Sequence, residues 1–147
     1  MFKNILVPTD GSDFSNKAVS TAARLAHSLN AKLLVIHVRS PIETPHRVAG
    51  GALTELGEKA VTQEIEGEER KLLEAAQGLA AAAGATAEAA FVAGYSTYET
   101  ILRIAGEQHC DVIVMASHGR RGLAGFLIGS ETQKVLTHAT IPVLVVR

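Results

Sequence analysis

The chain has 147 residues, of which 47% are hydrophobic and 20% charged, and its net charge is −1 with the histidines neutral. This size and composition predict one soluble globular domain over 1–147 that folds without a disulfide or a metal ion. The charge is nearly balanced and includes no long run of Lys or Arg, which argues against binding to nucleic acid or to an acidic membrane surface.

The cysteine count and the lengths of the apolar stretches indicate the cellular compartment of the protein. Cys110 is the only cysteine, which excludes an intrachain disulfide and is typical of a reducing environment. We expect its thiol to be inert, because no second cysteine is available to resolve an oxidised form. The first residues show no signal-peptide pattern, and no apolar stretch approaches the roughly 18–20 residues of a membrane span. We therefore expect a cytoplasmic protein that does not insert into a membrane.

The first part of the chain alternates between apolar runs and a helical pattern. Residues 5–7 predict a strand that ends in the polar turn 8–12. Within 13–29, apolar residues recur every three or four positions, which predicts a helix with one buried face. Residues 31–38 predict a second strand. The stretch 39–57 is irregular and rich in proline and glycine, which is consistent with either a lid or a disordered loop.

The second part continues the same alternation. A helix is predicted over 58–83, a weaker strand over 86–92 and a strand over 112–115. Ser96 and Ser130 each begin a capping-box pattern, Ser-x-x-Glu or Ser-x-x-Gln, which predicts that the third and fourth helices start there. A last strand is predicted over 141–146.

An acidic cluster occurs in the predicted helix over 58–83. Its members are Glu64, Glu66, Glu68 and Glu69. Such a cluster is consistent with a cation site or with a solvated helix face. Arg70 follows Glu66 by four residues, in the order that favours an ion pair along a helix, so we predict the solvated face.

The order of these elements predicts the fold class. Unbroken apolar strands are typical of a parallel sheet that is covered on both faces. We therefore predict an α/β fold, an open doubly wound five-stranded parallel sheet with strand order 3-2-1-4-5 and helices on both faces. Pro142 cannot donate to a strand ladder, so 141–146 should be an edge strand. An exposed apolar edge favours pairing with a second copy, which predicts a homodimer.

Two loops that follow strands have the composition of a ligand site. They are 8–12 and 116–130, and the second contains four glycines, including Gly119 and Gly122. In open parallel sheets, ligands bind at the carboxyl ends of the strands where the strand order reverses. If the first and fourth strands are neighbours, as in common topologies, these two loops face each other.

The second loop resembles an anion site. Its glycines permit a close approach of the backbone to a ligand, and Arg120 and Arg121 can bind phosphate oxygens. Gly129 and Ser130 precede a helix whose first amides lack intrahelical partners. The same composition also occurs in flexible surface loops with incidental basic residues. The chain contains no P-loop motif, so the residues alone predict only an anionic small-molecule site.

Several motifs together are those of a known family. They are Lys-Asn-Ile-Leu-Val-Pro-Thr-Asp-Gly-Ser at 3–12, Leu-Val-Ile-His-Val at 34–38, Met-Ala-Ser-His-Gly-Arg at 115–120 and Ile-Pro-Val-Leu-Val-Val at 141–146. On these motifs the chain resembles the universal stress proteins over its whole length. Gly119, nine further residues and then Gly129-Ser130 match the spacing of the nucleotide-binding branch of that family.

The resemblance implies that the chain binds ATP. It implies that Asp10 bonds the ribose, that Pro8 and Thr9 shape the wall beside it, and that Val38 meets the adenine through its backbone. It further implies that His118 either contacts the ligand or makes a structural hydrogen bond. The residues that would surround the phosphates are Gly119, Arg120, Gly129 and Ser130, with Arg121, Gly122 and Glu131 beside them. A magnesium or manganese ion would be held by the phosphates, because no acidic cluster has the spacing of a protein-only metal site.

The chain departs from the family pattern at one motif position. Ala116 replaces the first glycine, and its methyl group is expected to crowd the ribose or to shift the backbone slightly.

Three functions are consistent with the sequence. The favoured one is a non-enzymatic homodimer whose ATP occupancy is recognised by a protein partner during stress. The others are a slow ATPase or autophosphorylating protein, and a structural dimer that binds no nucleotide.

The remaining histidines show no metal-ligand spacing. They are His27, His37, His46, His109 and His138, and we predict structural or solvent-facing roles for them.

Overall fold

The structure, a computed structural model, describes residues 1–41, 55–119 and 128–147, the side chains of 55–62 excepted. Strands and helices alternate along these residues as predicted, and the ends of the elements differ from the predicted ones by no more than three residues. The elements are β1 (Asn4–Pro8), α1 (Asp13–Leu29), β2 (Lys32–Arg39), α2 (Glu55–Ala82), β3 (Ala87–Ala93), α3 (Thr97–Glu107), β4 (Val112–Ala116), α4 (Ser130–His138) and β5 (Val143–Val146).

All strand pairs are parallel, and the sheet has the order β3-β2-β1-β4-β5. β1 occupies the centre, where Leu6 pairs with Leu34 of β2 on one side and with Ile113 of β4 on the other. The predicted fold class, strand order and adjacency of the first and fourth strands are therefore confirmed. Because the winding reverses between β1 and β4, the helices that follow these strands lie on opposite faces of the sheet, and a crevice opens at the carboxyl ends of the two strands.

Helices cover both faces of the sheet. On one face, α1 and α2 pack against Val7 and Val35, and the α1 residues in contact are mostly alanines. On the other face, α3 and α4 pack against Leu6 and Ile113. All five residues of β4 are buried, which explains the unbroken apolar run that predicted this strand. In the described ranges, no helix has both the length and the apolarity that crossing a membrane requires.

The predicted edge strand is confirmed. β5 ends the sheet beside β4, and Pro142 directly precedes it. The carbonyl of Pro142 accepts a hydrogen bond from the Ile113 N–H at 3.0 Å, so the proline contributes only an acceptor to the ladder. Of the predicted irregular stretch 39–57, residues 42–54 lie outside the described part of the chain, and α2 begins at Glu55.

The capping-box predictions are only partly right. Helix α3 starts at Thr97 with Ser96 as its N-cap residue, but the Ser96 side chain makes no capping hydrogen bond. Ser130 is the first residue of α4 rather than its cap, because Gly129 occupies the N-cap position. A working side-chain cap is found instead at α1, where the Ser12 hydroxyl accepts from the Ser15 N–H.

The prediction of a solvated acidic face is wrong for one of the four glutamates. Glu64, Glu66 and Glu68 are exposed, but Glu69 is only 7% exposed. Its Oε2 atom accepts from Arg39 Nη1 at 2.9 Å, and the Arg39 guanidinium lies 4.5 Å from the centre of the Phe91 ring. The partner comes from β2, thirty residues earlier in the chain, so the helical pattern alone gives no sign of it.

This ion pair generates the first prediction. Arg39→Met leaves the Glu69 carboxylate buried without its partner, and we expect the free energy of unfolding to fall by about 2 kcal/mol in urea titrations. Arg103→Met is the matched control, because Arg103 pairs with Glu107 where both side chains are about half exposed, and such pairs contribute about 0–1 kcal/mol. Arg39→Met with Glu69→Leu should recover most of the loss. Equal losses in the two single variants would contradict the prediction.

Candidate functional site

A cleft of about 520 Å³ lies at the carboxyl ends of the strands, where β1 and β4 part. It receives side chains or backbone from every helix except α2 among the described elements. Its described lining residues are Pro8, Thr9, Asp10, Ser15, His37, Val38, Thr97, Ile101, Met115, Ala116, His118, Gly119, Gly129, Ser130, Glu131 and Thr132. Small-molecule sites typically have volumes of about 300–1,000 Å³, so the cleft is large enough for a nucleotide-sized ligand.

The turn from β1 to α1 is held by a directed chain of hydrogen bonds. The Gly11 N–H donates to Thr9 Oγ1 at 3.2 Å, and the Ser15 hydroxyl donates to the Ser12 carbonyl at 3.0 Å. Thr9 Oγ1 and Ser15 Oγ are 3.0 Å apart. Because the one proton of Ser15 is used on Ser12, Thr9 must be the donor between these two hydroxyls. This chain fixes the backbone from which the Asp10 side chain extends.

Asp10 uses one carboxylate oxygen within the turn and directs the other across the crevice. Its Oδ1 accepts from the Ser12 N–H at 3.0 Å. On the opposite side of the crevice, a Cβ atom placed on Gly119 would lie 2.6 Å from Asp10 Oδ2. The two loops predicted to face each other are therefore in direct contact, and a side chain at Gly119 would displace the aspartate.

Hydrogen bonds join the end of β4 to the start of α4. The Gly129 N–H donates to the Ser117 carbonyl at 2.7 Å, and a Cβ atom on Gly129 would lie 3.2 Å from that same oxygen. Thr132 Oγ1 donates to the Ala116 carbonyl at 2.8 Å, so the first turn of α4 is attached to the end of β4. These contacts bring Gly129 and Gly119 together although nine residues separate them in sequence.

The first turn of α4 offers amide donors to the cleft. Glycine is the N-cap residue and has no side chain to accept from them, and no side-chain capping bond is formed. The first amides of a helix have no intrahelical acceptor, and together with the helix dipole they attract anions. Ser130 lines the cleft and is exposed, so this end of the helix is accessible to a ligand.

Glu131 has a role that the sequence did not predict. Its Oε2 accepts from the Tyr98 N–H at 3.0 Å, and its Oε1 accepts from Lys134 Nζ at 2.8 Å. The carboxylate on α4 thus caps the start of α3, in place of the Ser96 side chain. The Lys134 pKa is raised by the hydrogen bond and by the charge of Glu131, which keeps the lysine protonated.

Ala116 forms part of the cleft wall. It is the last residue of β4 and is 7% exposed, and its carbonyl oxygen is directed to Thr132. The cleft volume is the space left with the alanine methyl group in place. The alanine that replaces the motif glycine therefore narrows the cleft without filling it.

Most of the predicted site residues lie around this cleft. The structure brings together Pro8, Thr9, Asp10, Val38, Ala116, His118, Gly119, Gly129, Ser130 and Glu131. His118 also places Nδ1 3.0 Å from the Ser117 hydroxyl and packs its ring 5.5 Å from that of Phe14. Arg120, Arg121 and Gly122 were predicted as phosphate contacts and lie outside the described residues.

Sequence reasoning missed part of the wall. The lining residues that it did not propose are Ser15, His37, Thr97, Ile101, Met115 and Thr132. His37, Met115 and Thr132 each directly adjoin a predicted site residue, and that adjacency was the available signal. Thr97 and Ile101 belong to α3, and only the tertiary packing of that helix brings them to the cleft.

His37 is the most informative of these missed residues. Its Nδ1 lies 2.8 Å from the Thr9 carbonyl, and this carbonyl can only accept, so Nδ1 carries the proton. A histidine on β2 therefore holds the backbone of the β1 turn next to Asp10. The structural role predicted for His37 is correct, but the residue performs that role inside the candidate site. His27 also bonds a backbone carbonyl, that of Gly84 at 2.8 Å.

The chemistry of the described residues gives no metal site and no reactive thiol. Within the described ranges, no group of three or more His, Cys, Asp or Glu side chains could hold a metal ion. Cys110 is buried, and burial, followed by the charge of Asp111, raises the pKa of its thiol. The described part of the cleft offers backbone amides and hydroxyl groups as donors, beside the carboxylates of Asp10 and Glu131.

Comparisons with known proteins identify the family. A sequence model of the universal stress protein family matches residues 1–147. Universal stress protein YxiE of Bacillus subtilis is 37% identical over 149 aligned residues, which cover 100% of both chains. The chain is similar to these proteins from end to end.

Solved structures show the same fold. The protein MJ0577 of Methanocaldococcus jannaschii has a TM-score of 0.79 and 27% identity, over 99% of this chain and 96% of that one. A universal stress protein solved in complex with cAMP has a TM-score of 0.73 and 28% identity, over 99% of this chain and 97% of that one. The second comparison links this fold to a bound adenine nucleotide in a relative.

The His37 contact generates the second prediction. His37→Leu removes the donor to the Thr9 carbonyl, and we expect a loss of about 1 kcal/mol in unfolding free energy together with faster amide hydrogen exchange at Gly11 and Ser12. His37→Asn places an amide donor near the position of Nδ1 and should restore slow exchange. Unchanged exchange in the leucine variant would show that this bond does not hold the turn.

Proposed function

This chain belongs to the universal stress protein family, and we propose that it binds ATP in the cleft between the ends of β1 and β4. The contact between Asp10 and Gly119 is the observation that carries the proposal, because it joins a carboxylate suited to ribose hydroxyls to the loop that leads to the α4 amides. In this proposal 1–147 is one domain, and the protein acts as a nucleotide-dependent stress-response module rather than as a dedicated enzyme.

The apolar end of the cleft suits a purine base. Val38, Ile101 and Met115 line the cleft there, and Val38 lies in β2 beyond Ile36, the last residue that pairs with β1, so backbone groups on that side can meet the base edge. Apolar walls with a few fixed polar groups are typical of cofactor sites. The adenine of ATP would lie at this end, with the ribose beside Asp10.

The opposite end of the cleft suits phosphate groups. The amides of the first turn of α4, together with the backbone at Gly119 and Gly129, can donate to phosphate oxygens. A magnesium or manganese ion would be carried by the phosphates. Among the described residues at this end, Glu131 already accepts hydrogen bonds through both of its carboxylate oxygens, which makes it a poor base for activating water. These observations favour binding over hydrolysis.

The third prediction tests ATP binding by calorimetry. Gly119→Ala should weaken ATP by at least about 10-fold, because the new methyl group displaces the Asp10 carboxylate. Asp10→Asn should weaken it similarly, since it removes the charge but keeps an oxygen for the Ser12 N–H. Gly67→Ala is the matched control, because a Cβ atom there meets nothing within 4 Å.

The first measurement is whether the wild-type protein binds ATP. If the purified protein binds no ATP and releases no adenine nucleotide on acid extraction, the proposal fails and a nucleotide-free structural dimer becomes the better account. If ADP accumulates steadily and Asp10→Asn abolishes it, the protein is a slow ATPase rather than a binding module.

We also propose that the protein is a homodimer joined along β5. This strand forms the edge of the sheet, is only four residues long and carries Leu144 41% exposed. Leu136 on the adjacent helix α4 is 40% exposed. An apolar edge strand favours pairing with an identical strand across a twofold axis. A protein partner would then recognise the nucleotide-bound dimer.

The fourth prediction tests the dimer by light scattering. Leu144→Glu introduces a charge on the β5 edge and should convert the dimer to a monomer. Phe91→Glu is the matched control, because Phe91 is 42% exposed on β3 at the other edge of the sheet. A monomeric wild-type protein, or dissociation by the Phe91 variant alone, would contradict the assignment of β5 as the interface.

A further inference from the structure

Glu131 lines the cleft at the end where the proposed phosphates would bind. It is the second residue of α4, so its carboxylate is close to the first amides of that helix. A helix N-terminus that binds an anion gains from its positive potential. A fixed carboxylate at the same end offsets part of that positive potential and repels a second anion. Glu131 therefore acts against a highly charged ligand.

The carboxylate cannot easily turn away from the cleft. Oε2 accepts from the Tyr98 N–H at 3.0 Å, and Oε1 accepts from Lys134 Nζ at 2.8 Å. Rotation of the side chain would leave the first turn of α3 uncapped and would separate the ion pair. Glu131 thus keeps its charge in one place, since each of its oxygens has its own donor.

Lys134 compensates this charge only in part. Its side chain is 49% exposed, and its ammonium also lies 5.5 Å from the centre of the Tyr98 ring. An ion pair of this exposure is weakened by solvent and salt. A ligand with several negative charges would still meet a net cost from Glu131, whereas a ligand with one or two charges would meet less.

We propose that Glu131 determines the charge selectivity of the cleft. The triphosphate binds well only as its complex with a divalent cation, and without a cation the site favours adenine nucleotides that carry fewer negative charges. This inference rests on the proposed nucleotide function and specifies which charge state of the nucleotide the site accepts. The identity of the base plays no part in it.

The fifth prediction compares ATP and AMP affinities with EDTA and with magnesium. Glu131→Gln keeps an oxygen for the Tyr98 N–H and removes the charge. We expect it to raise ATP affinity in EDTA about 5-fold, to leave AMP within about 2-fold and to reduce the gain from magnesium. Increasing salt should reduce the difference between wild type and variant, because screening weakens charge repulsion.

Glu107→Gln is the matched control. Glu107 is also an ion-paired carboxylate of similar exposure, bonded to Arg103 at 2.9 Å, but it lies six residues beyond Ile101, the last α3 residue among the described lining, which is about 9 Å along the helix from the cleft. Glu107→Gln changes the net charge by the same amount as Glu131→Gln. It should leave the ATP and AMP affinities unchanged, both with EDTA and with magnesium. An equal effect of the two variants would assign the change to net charge and overturn the proposal.

Two outcomes separate this inference from the proposed function. If ATP and AMP affinities respond equally to Glu131→Gln, or not at all, Glu131 serves only to cap α3 and the inference is wrong. If neither the wild-type protein nor the Glu131→Gln variant binds an adenine nucleotide, the proposed function fails. Inorganic tripolyphosphate then becomes the probe. Tighter binding of tripolyphosphate by Glu131→Gln would then support the charge role, and equal binding would refute it.

Discussion

The parallel pairing of β1 with β4 is the constraint on which the remaining structure depends. Leu6 and Ile113 are both fully buried in this pair, so the two strands cannot shift without exposing the core. Their fixed register makes both strands end at one edge of the sheet. The loops that follow then meet, with Gly119 against Asp10, and the apolar core determines the geometry of a polar site.

Much of the architecture could be predicted because local patterns determine it. The spacing of apolar residues gave α1 with its observed bounds, Asp13–Leu29, and the unbroken run in β4 reflects burial on both faces. The composition of the loops 8–12 and 116–130, together with the common strand order, indicated which loops would meet. The family resemblance added the expected ligand-contacting residues, and the fold confirms the strand adjacency that this interpretation required.

What could not be predicted depends on contacts between residues far apart in sequence. Glu69 belongs to a run of glutamates, and only the approach of Arg39 from β2 explains its burial. Ser96 has the pattern of a helix cap, but Glu131 from another helix supplies the bond. His37 is indistinguishable by spacing from a solvent-facing histidine until the Thr9 carbonyl is placed beside it. In each case the partner of the side chain belongs to a different element, and the two come together only in the tertiary structure.

Because the single cysteine is buried, the reactivity of its thiol reports local opening of the protein. Cys110 packs in the same apolar cluster as Ile101 and Met115, which also line the cleft. A thiol reagent can reach it only when this half of the molecule opens, so the rate of labelling measures that opening directly. Any molecule that settles between α3 and β4 will slow the reaction, which allows occupancy to be followed by mass spectrometry without an attached dye.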